Sequence, residues 1–170
     1  MTKDIDQLTS DFWNVVDESD FTQGLKLLNE IAEYNKESIY DEASHMLGIA
    51  IAEGSTLVMM SIVFGADAQF TEQDAREIAS KRVKFCFGLY DKVCPRDELI
   101  DENAQAGNKF IIAAYENNKV DGLLAANRIA ELHLGSLNKE LAVLTEWGLY
   151  LNSSLIANFA NNLSKELEEN

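Results

Sequence analysis

Residues 55–66 read STLVMMSIVFGA, and the conformation of this run decides the fold class. Val58, Ile62, Val63 and Phe64 favour strands. A short apolar run fits a buried strand as well as a buried helix. A strand needs a partner, however, and no other segment supplies a clear one. Helix is therefore expected here. A helix apolar on every side is expected to be buried on every side, which makes this run the candidate central element.

The flanking segments support that choice. Downstream, Thr71-Glu72-Gln73-Asp74 has the form of a capping box with Asp in place of Glu. Ala75, Ile78, Ala79, Val83, Cys86 and Leu89 follow at helical spacing. Pro95 ends that helix, because a residue before proline is pushed out of the helical region. Upstream, a helix is expected over residues 38–54, with Ser38 as its N-cap and a stop near Gly54. Two more precede it, over residues 3–17 and 21–35.

Beyond Pro95 the next helix carries Asp97 and Glu98 in its first turn, where the helix dipole favours acids. Another covers residues 120–134 and stops at Gly135-Ser136. The last is read as one long helix over residues 137–167. Its stripe of Leu137, Leu141, Leu144, Gly148, Leu151, Leu155, Phe159 and Leu163 runs in steps of four and three. Gly48, Gly65, Gly88, Gly107, Gly122 and Gly148 fall within or beside these helices. Each costs about 1 kcal/mol against alanine in a helix interior, so close helix crossings are expected there.

The expected fold class is all-α: a compact bundle of seven to eight helices with a long C-terminal helix, forming a single domain over residues 1–170. The single proline and the 46 % apolar content agree with helices on short connections around an ordinary core. A helical-repeat solenoid would need a fixed period of about 34 residues, and none is present.

Charge is the strongest compositional signal. There are 29 acids and 14 bases, a net of −15. That balance argues against direct binding to a nucleic-acid backbone or an anionic membrane, which both require a positive patch. It permits a protein partner with a basic surface. The acidity is uneven. Residues 1–53 hold twelve acids and three bases, residues 54–96 five and six, and residues 97–170 twelve and five. The bases of the middle segment lie on or just past the helix after Thr71: Arg76, Lys81, Arg82, Lys84, Lys92 and Arg96.

Cys86 and Cys94 are eight residues apart on one expected helix, about 12 Å along its axis. That is too far for a disulfide, so reduced thiols are expected. The N-terminal MTKDIDQLTSDFW lacks the apolar core of a signal peptide. The longest uncharged run, residues 54–66, is too short to span a bilayer as a helix. A soluble, cytoplasmic protein is expected.

The most specific chemical pattern is Glu42-x-x-His45, which puts a carboxylate and an imidazole on one helix face as weak candidate metal ligands. Helical di-iron sites need that pair twice, and the other histidine, His133, has Ala130 three residues before it. No cofactor is expected. Calcium-loop spacing, a Gly-rich phosphate loop and a nucleophile elbow are all missing from the sequence.

The expected function is that of a non-enzymatic acidic protein-binding domain: an inhibitor, immunity or adaptor protein. Its candidate contact residues are the acids Asp17, Glu18, Asp20, Asp97, Glu98, Asp101 and Glu102, and the bases Arg76, Lys81, Arg82 and Lys84. The alternatives are a helical metal protein or enzyme using Glu42 and His45, and a self-associating structural protein (a homo-oligomer).

Overall fold

A computed structural model describes residues 4–95 and 102–170. Among the described residues there are eight α-helices and no strands, so the all-α class expected from the sequence holds. In chain order they are α1 (Ile5–Glu18), α2 (Phe21–Asn35), α3 (Ile39–Phe64), α4 (Glu72–Val93), α5 (Glu102–Glu116), α6 (Lys119–Leu132), α7 (Leu137–Tyr150) and α8 (Ser154–Glu169). A short 3-10 turn, Gly65–Asp67, follows α3.

The chain divides into two compact units. The first comprises Met1–Ala50 and Lys81–Leu99; the second comprises Ile51–Ser80 and Ile100–Asn170.

In the first unit, α1 and α2 form a tight antiparallel turn set by local chemistry. Ser19 adopts a left-handed conformation at φ 61° and closes α1 through its backbone N–H. Asp20 then caps α2 at once, accepting from the Gln23 N–H at 3.0 Å. Side-chain caps of this kind satisfy donors that the first helical turn leaves without partners. Phe12, Val16, Leu28 and Ile31 are fully or almost fully buried, as helical spacing predicts. Ser38 caps α3 by accepting from the Asp41 N–H at 3.1 Å.

In the second unit, α5 packs on α6 and α7 on α8. Three expectations from the sequence are corrected there. The first concerns the stop near Gly54. Residues 38–54 and 55–66 are not two helices, because α3 continues through Gly54 without a break. Gly54 serves close approach instead of termination. A Cβ at this position would stand 3.0 Å from the Tyr115 ring and 3.1 Å from the Ala79 Cβ.

The second correction concerns burial of the same run. Val58 and Ser61 are buried, but Met60, Ile62, Val63 and Phe64 are 46–72 % exposed. Burial at steps of three marks one covered edge, and the other sides of these last turns face solvent. Apolar composition specified what the run could bury but not how many neighbours would arrive. By length and composition alone, Ile39–Asp67 is long and apolar enough to cross a membrane, and 33 % of its most apolar window is buried inside the fold.

The third correction divides the long C-terminal helix into α7 and α8, with α8 only 16 residues long. The chain turns at Asn152, which is left-handed at φ 55°. Ser153 then caps α8 by accepting from the Ile156 N–H at 3.2 Å. The turn is so tight that a Cβ on Gly148 would lie 2.5 Å from the Ala157 backbone nitrogen. The apparent heptad seam is therefore two apolar faces folded onto each other, with Leu141, Leu144, Leu155 and Leu163 all buried.

Candidate functional site

The residues expected to contact a partner have charge in common, and the fold uses several of them internally. Asp17 lies in the last turn of α1. Arg82 holds its carboxylate by two bonds, Nε to Oδ1 at 2.7 Å and Nη2 to Oδ2 at 2.8 Å. Lys81 donates to the Asp17 backbone carbonyl at 2.6 Å. Carbonyls in the last turn of a helix lack intrahelical partners and carry the negative end of the dipole, so two cations here are well placed. Asp20 is occupied as the α2 cap, while its neighbour Glu18 is exposed.

Arg76 plays the same part at the end of α5. Its Nη1 donates to the carbonyls of Ala114 and Tyr115, both at 3.1 Å. Its Nε donates to Glu72 at 2.9 Å. Nearby, the Ser80 hydroxyl donates to Glu116 at 2.9 Å. Lys84 is exposed on α4. Of the other predicted acids, Glu102 is exposed and paired with Arg128, and Asp97, Glu98 and Asp101 lie outside the described residues.

Glu42 and His45 are separated by burial. Glu42 is 1 % exposed and accepts from the Asn35 side chain at 3.1 Å, which ties the end of α2 to the start of α3. His45 is exposed. Among the described residues, no group of three or more His, Cys, Asp or Glu is placed to hold a metal ion. Cys86 is buried, and that burial pushes its thiol up to about 12 despite the opposing charge of Arg82. Such a thiol stays protonated near neutrality and is a poor nucleophile.

Two polar arrangements had no clear signal in the sequence. His133 Nδ1 stands 3.1 Å from the carboxylate of Glu140, which is 6 % exposed in the first turn of α7. The partners are seven residues apart across a turn, so helical spacing does not pair them. The second arrangement centres on Tyr115, which is fully buried. Its hydroxyl donates to the Ile51 carbonyl and lies 3.4 Å from the Ser153 hydroxyl. Ser55 accepts from the Leu155 N–H at 3.1 Å. These bonds join α3, α5 and the start of α8 through buried groups that would be costly unpaired.

A groove of about 660 Å³ runs beside α5 and α6, with Glu102, Lys109, Glu116, Asp121 and Arg128 along its walls and Leu124 among its apolar contacts. Both charge signs occur there, and among the described residues Glu102 is the one predicted contact residue that lines it. No protein-family model, curated protein or solved structure matches the chain.

Proposed function

We propose that this chain is a non-enzymatic, cytoplasmic protein-binding domain, an inhibitor, immunity or adaptor protein, that engages a basic surface on a target protein. The net charge of −15 carries this reading. The internal use of bases supports it. Arg76, Lys81 and Arg82 are committed to helix ends and to Asp17 or Glu72, so much of the middle segment's positive charge serves the chain's own acceptors. What remains for a partner is mostly carboxylate, including exposed Glu18 and Glu37. Such a surface steers a basic partner into encounter and repels acidic ones.

The test is affinity capture from the native cell at low and high salt. A specific basic partner should be retained at low salt and weaken as salt rises, because screening shortens the reach of exposed charges. Capture of no specific partner, or of one indifferent to salt, would refute the electrostatic mechanism.

A further inference from the structure

We infer that the end of α3 and the turn leading into α4 form a docking tip that inserts into an apolar pocket rimmed by basic side chains on the partner protein. This inference rests on the acidic-binding reading and names the surface that would carry it. Met60, Ile62, Val63 and Phe64 are 51 %, 46 %, 72 % and 54 % exposed. At about 100° per residue Met60, Val63 and Phe64 share one face of the helix, and Ile62 widens the exposed apolar arc to about 200°. Single exposed apolar residues are ordinary, but four within five positions form a contiguous patch of the kind found at interaction sites.

The charges around the tip select its occupant. Residues 37–75 contain no lysine or arginine. Following the apolar turns in the chain, Asp67 in the 3-10 turn and Asp74 and Glu77 in the first turns of α4 are all exposed. Glu72 is different, since Arg76 already pairs with it. A second copy of the chain would bring like acids together at a total charge of −15 on each side. An anionic membrane would repel the same carboxylates. A pocket with apolar walls and a Lys- or Arg-rich rim satisfies both parts of the tip at once, in the manner of a helix end entering a groove.

A defined probe tests this on the full chain. A synthetic amphipathic helix of Leu and Lys offers an apolar face with a cationic border, and a Ser/Lys peptide of equal charge offers the cations alone. Affinities are read by fluorescence anisotropy, with folding checked by circular dichroism. The Leu/Lys peptide should bind at least about tenfold more tightly than the Ser/Lys peptide. The triple variant M60S/V63S/F64S should erase that preference, and D67N/D74N/E77Q should weaken binding and flatten its salt dependence. The control triple E146Q/E168Q/E169Q, exposed carboxylates of α7 and α8 and equal in charge change, should leave the preference for the Leu/Lys peptide intact. Equal losses in the tip and control carboxylate triples, or equal binding of both peptides, would overturn the docking tip while leaving the acidic surface standing. Failure of every cationic peptide to bind in a salt-dependent way would overturn both. Dimerisation by light scattering, or binding to phosphatidylcholine vesicles, that M60S/V63S/F64S abolishes would assign the tip to a second copy or to lipid and overturn the inference.

Discussion

Arg82 grips the Asp17 carboxylate through two bonds of 2.7 and 2.8 Å, although the two stand 65 positions apart in the chain. The pair ties α4 to the end of α1 within the first unit. It also turns a base that looked available for a partner into part of the fold. Both side chains are partly exposed, at 30 % and 47 %, so solvent screens the attraction. Arg82→Ala should lower stability by about 1 kcal/mol. Arg82→Lys should recover little of it, because an ammonium cannot reproduce the planar fork. Urea midpoints for both variants, with Asp17→Asn to complete a double-mutant cycle, measure the coupling. Additive losses from Arg82→Ala and Asp17→Asn would show that the pair contributes nothing of its own.

Tyr115 and Ser153 should be costlier to alter, because both are fully buried. Tyr115→Phe removes a donor to the Ile51 carbonyl and leaves the space filled. The expected loss is about 1–2 kcal/mol. Ser153→Ala removes the α8 cap and a neighbour of the Tyr115 hydroxyl, with a similar expected loss. The double variant should lose less than the sum of the two, since both changes act on the same polar cluster. Denaturant titration of the three proteins decides it, and strict additivity would contradict the shared network.

What could be read in the sequence followed from how local each signal is. The caps at Ser38 and Thr71 were legible because donor and acceptor lie three residues apart, and both bonds form. The α7 start was legible from the helix stop at Gly135-Ser136, and Ser136 caps it by accepting from the Lys139 N–H. The course of α3 through Gly54 was not, because the cause is an approach by Ala79 and Tyr115 that no local pattern encodes. The heptad-like spacing over residues 137–167 was equally consistent with one helix or a folded pair, and the left-handed Asn152 decided between them. Among the candidate contacts, charge was legible and partnership was not. Asp17 and Arg82 stood in the same set without any sign that they bind each other.

Alkaline stability should show the two buried acids. Burial raises the Cys86 thiol from its ordinary 9.0 to about 12, and the Tyr115 hydroxyl from 10.0 to about 12. In each case the folded state holds its proton more tightly than the unfolded chain does. The stabilisation is therefore complete below the unfolded value and is lost as pH rises through the folded one. Stability should fall from about pH 9 to pH 12. Cys86→Ala should remove the part that begins near 9, and Tyr115→Phe the part that begins near 10. Urea unfolding at stepped pH reads both slopes, and unchanged slopes in the variants would place the loss elsewhere.

Gly148 and Gly48 lie within helices, yet substitution by alanine should move stability in opposite directions. At Gly148 an added Cβ would meet the Ala157 nitrogen at 2.5 Å, the Ala157 Cα at 3.0 Å and the Ile156 carbonyl carbon at 3.1 Å. All three are backbone atoms, so no side-chain rotation relieves the overlap. Either α7 and α8 separate or the turn between them distorts. Overpacking of this kind costs about 1–3 kcal/mol. At Gly48 nothing lies within 4 Å of the added carbon, and the position is exposed on α3. There alanine only restricts the unfolded chain and favours helix, a gain of up to about 1 kcal/mol. Thermal or urea unfolding of the two single variants tests the contrast directly. A neutral Gly148→Ala would mean that α7 and α8 do not meet as closely as the turn at Asn152 implies, and the division of the C-terminal segment into two packed helices would lose its physical explanation.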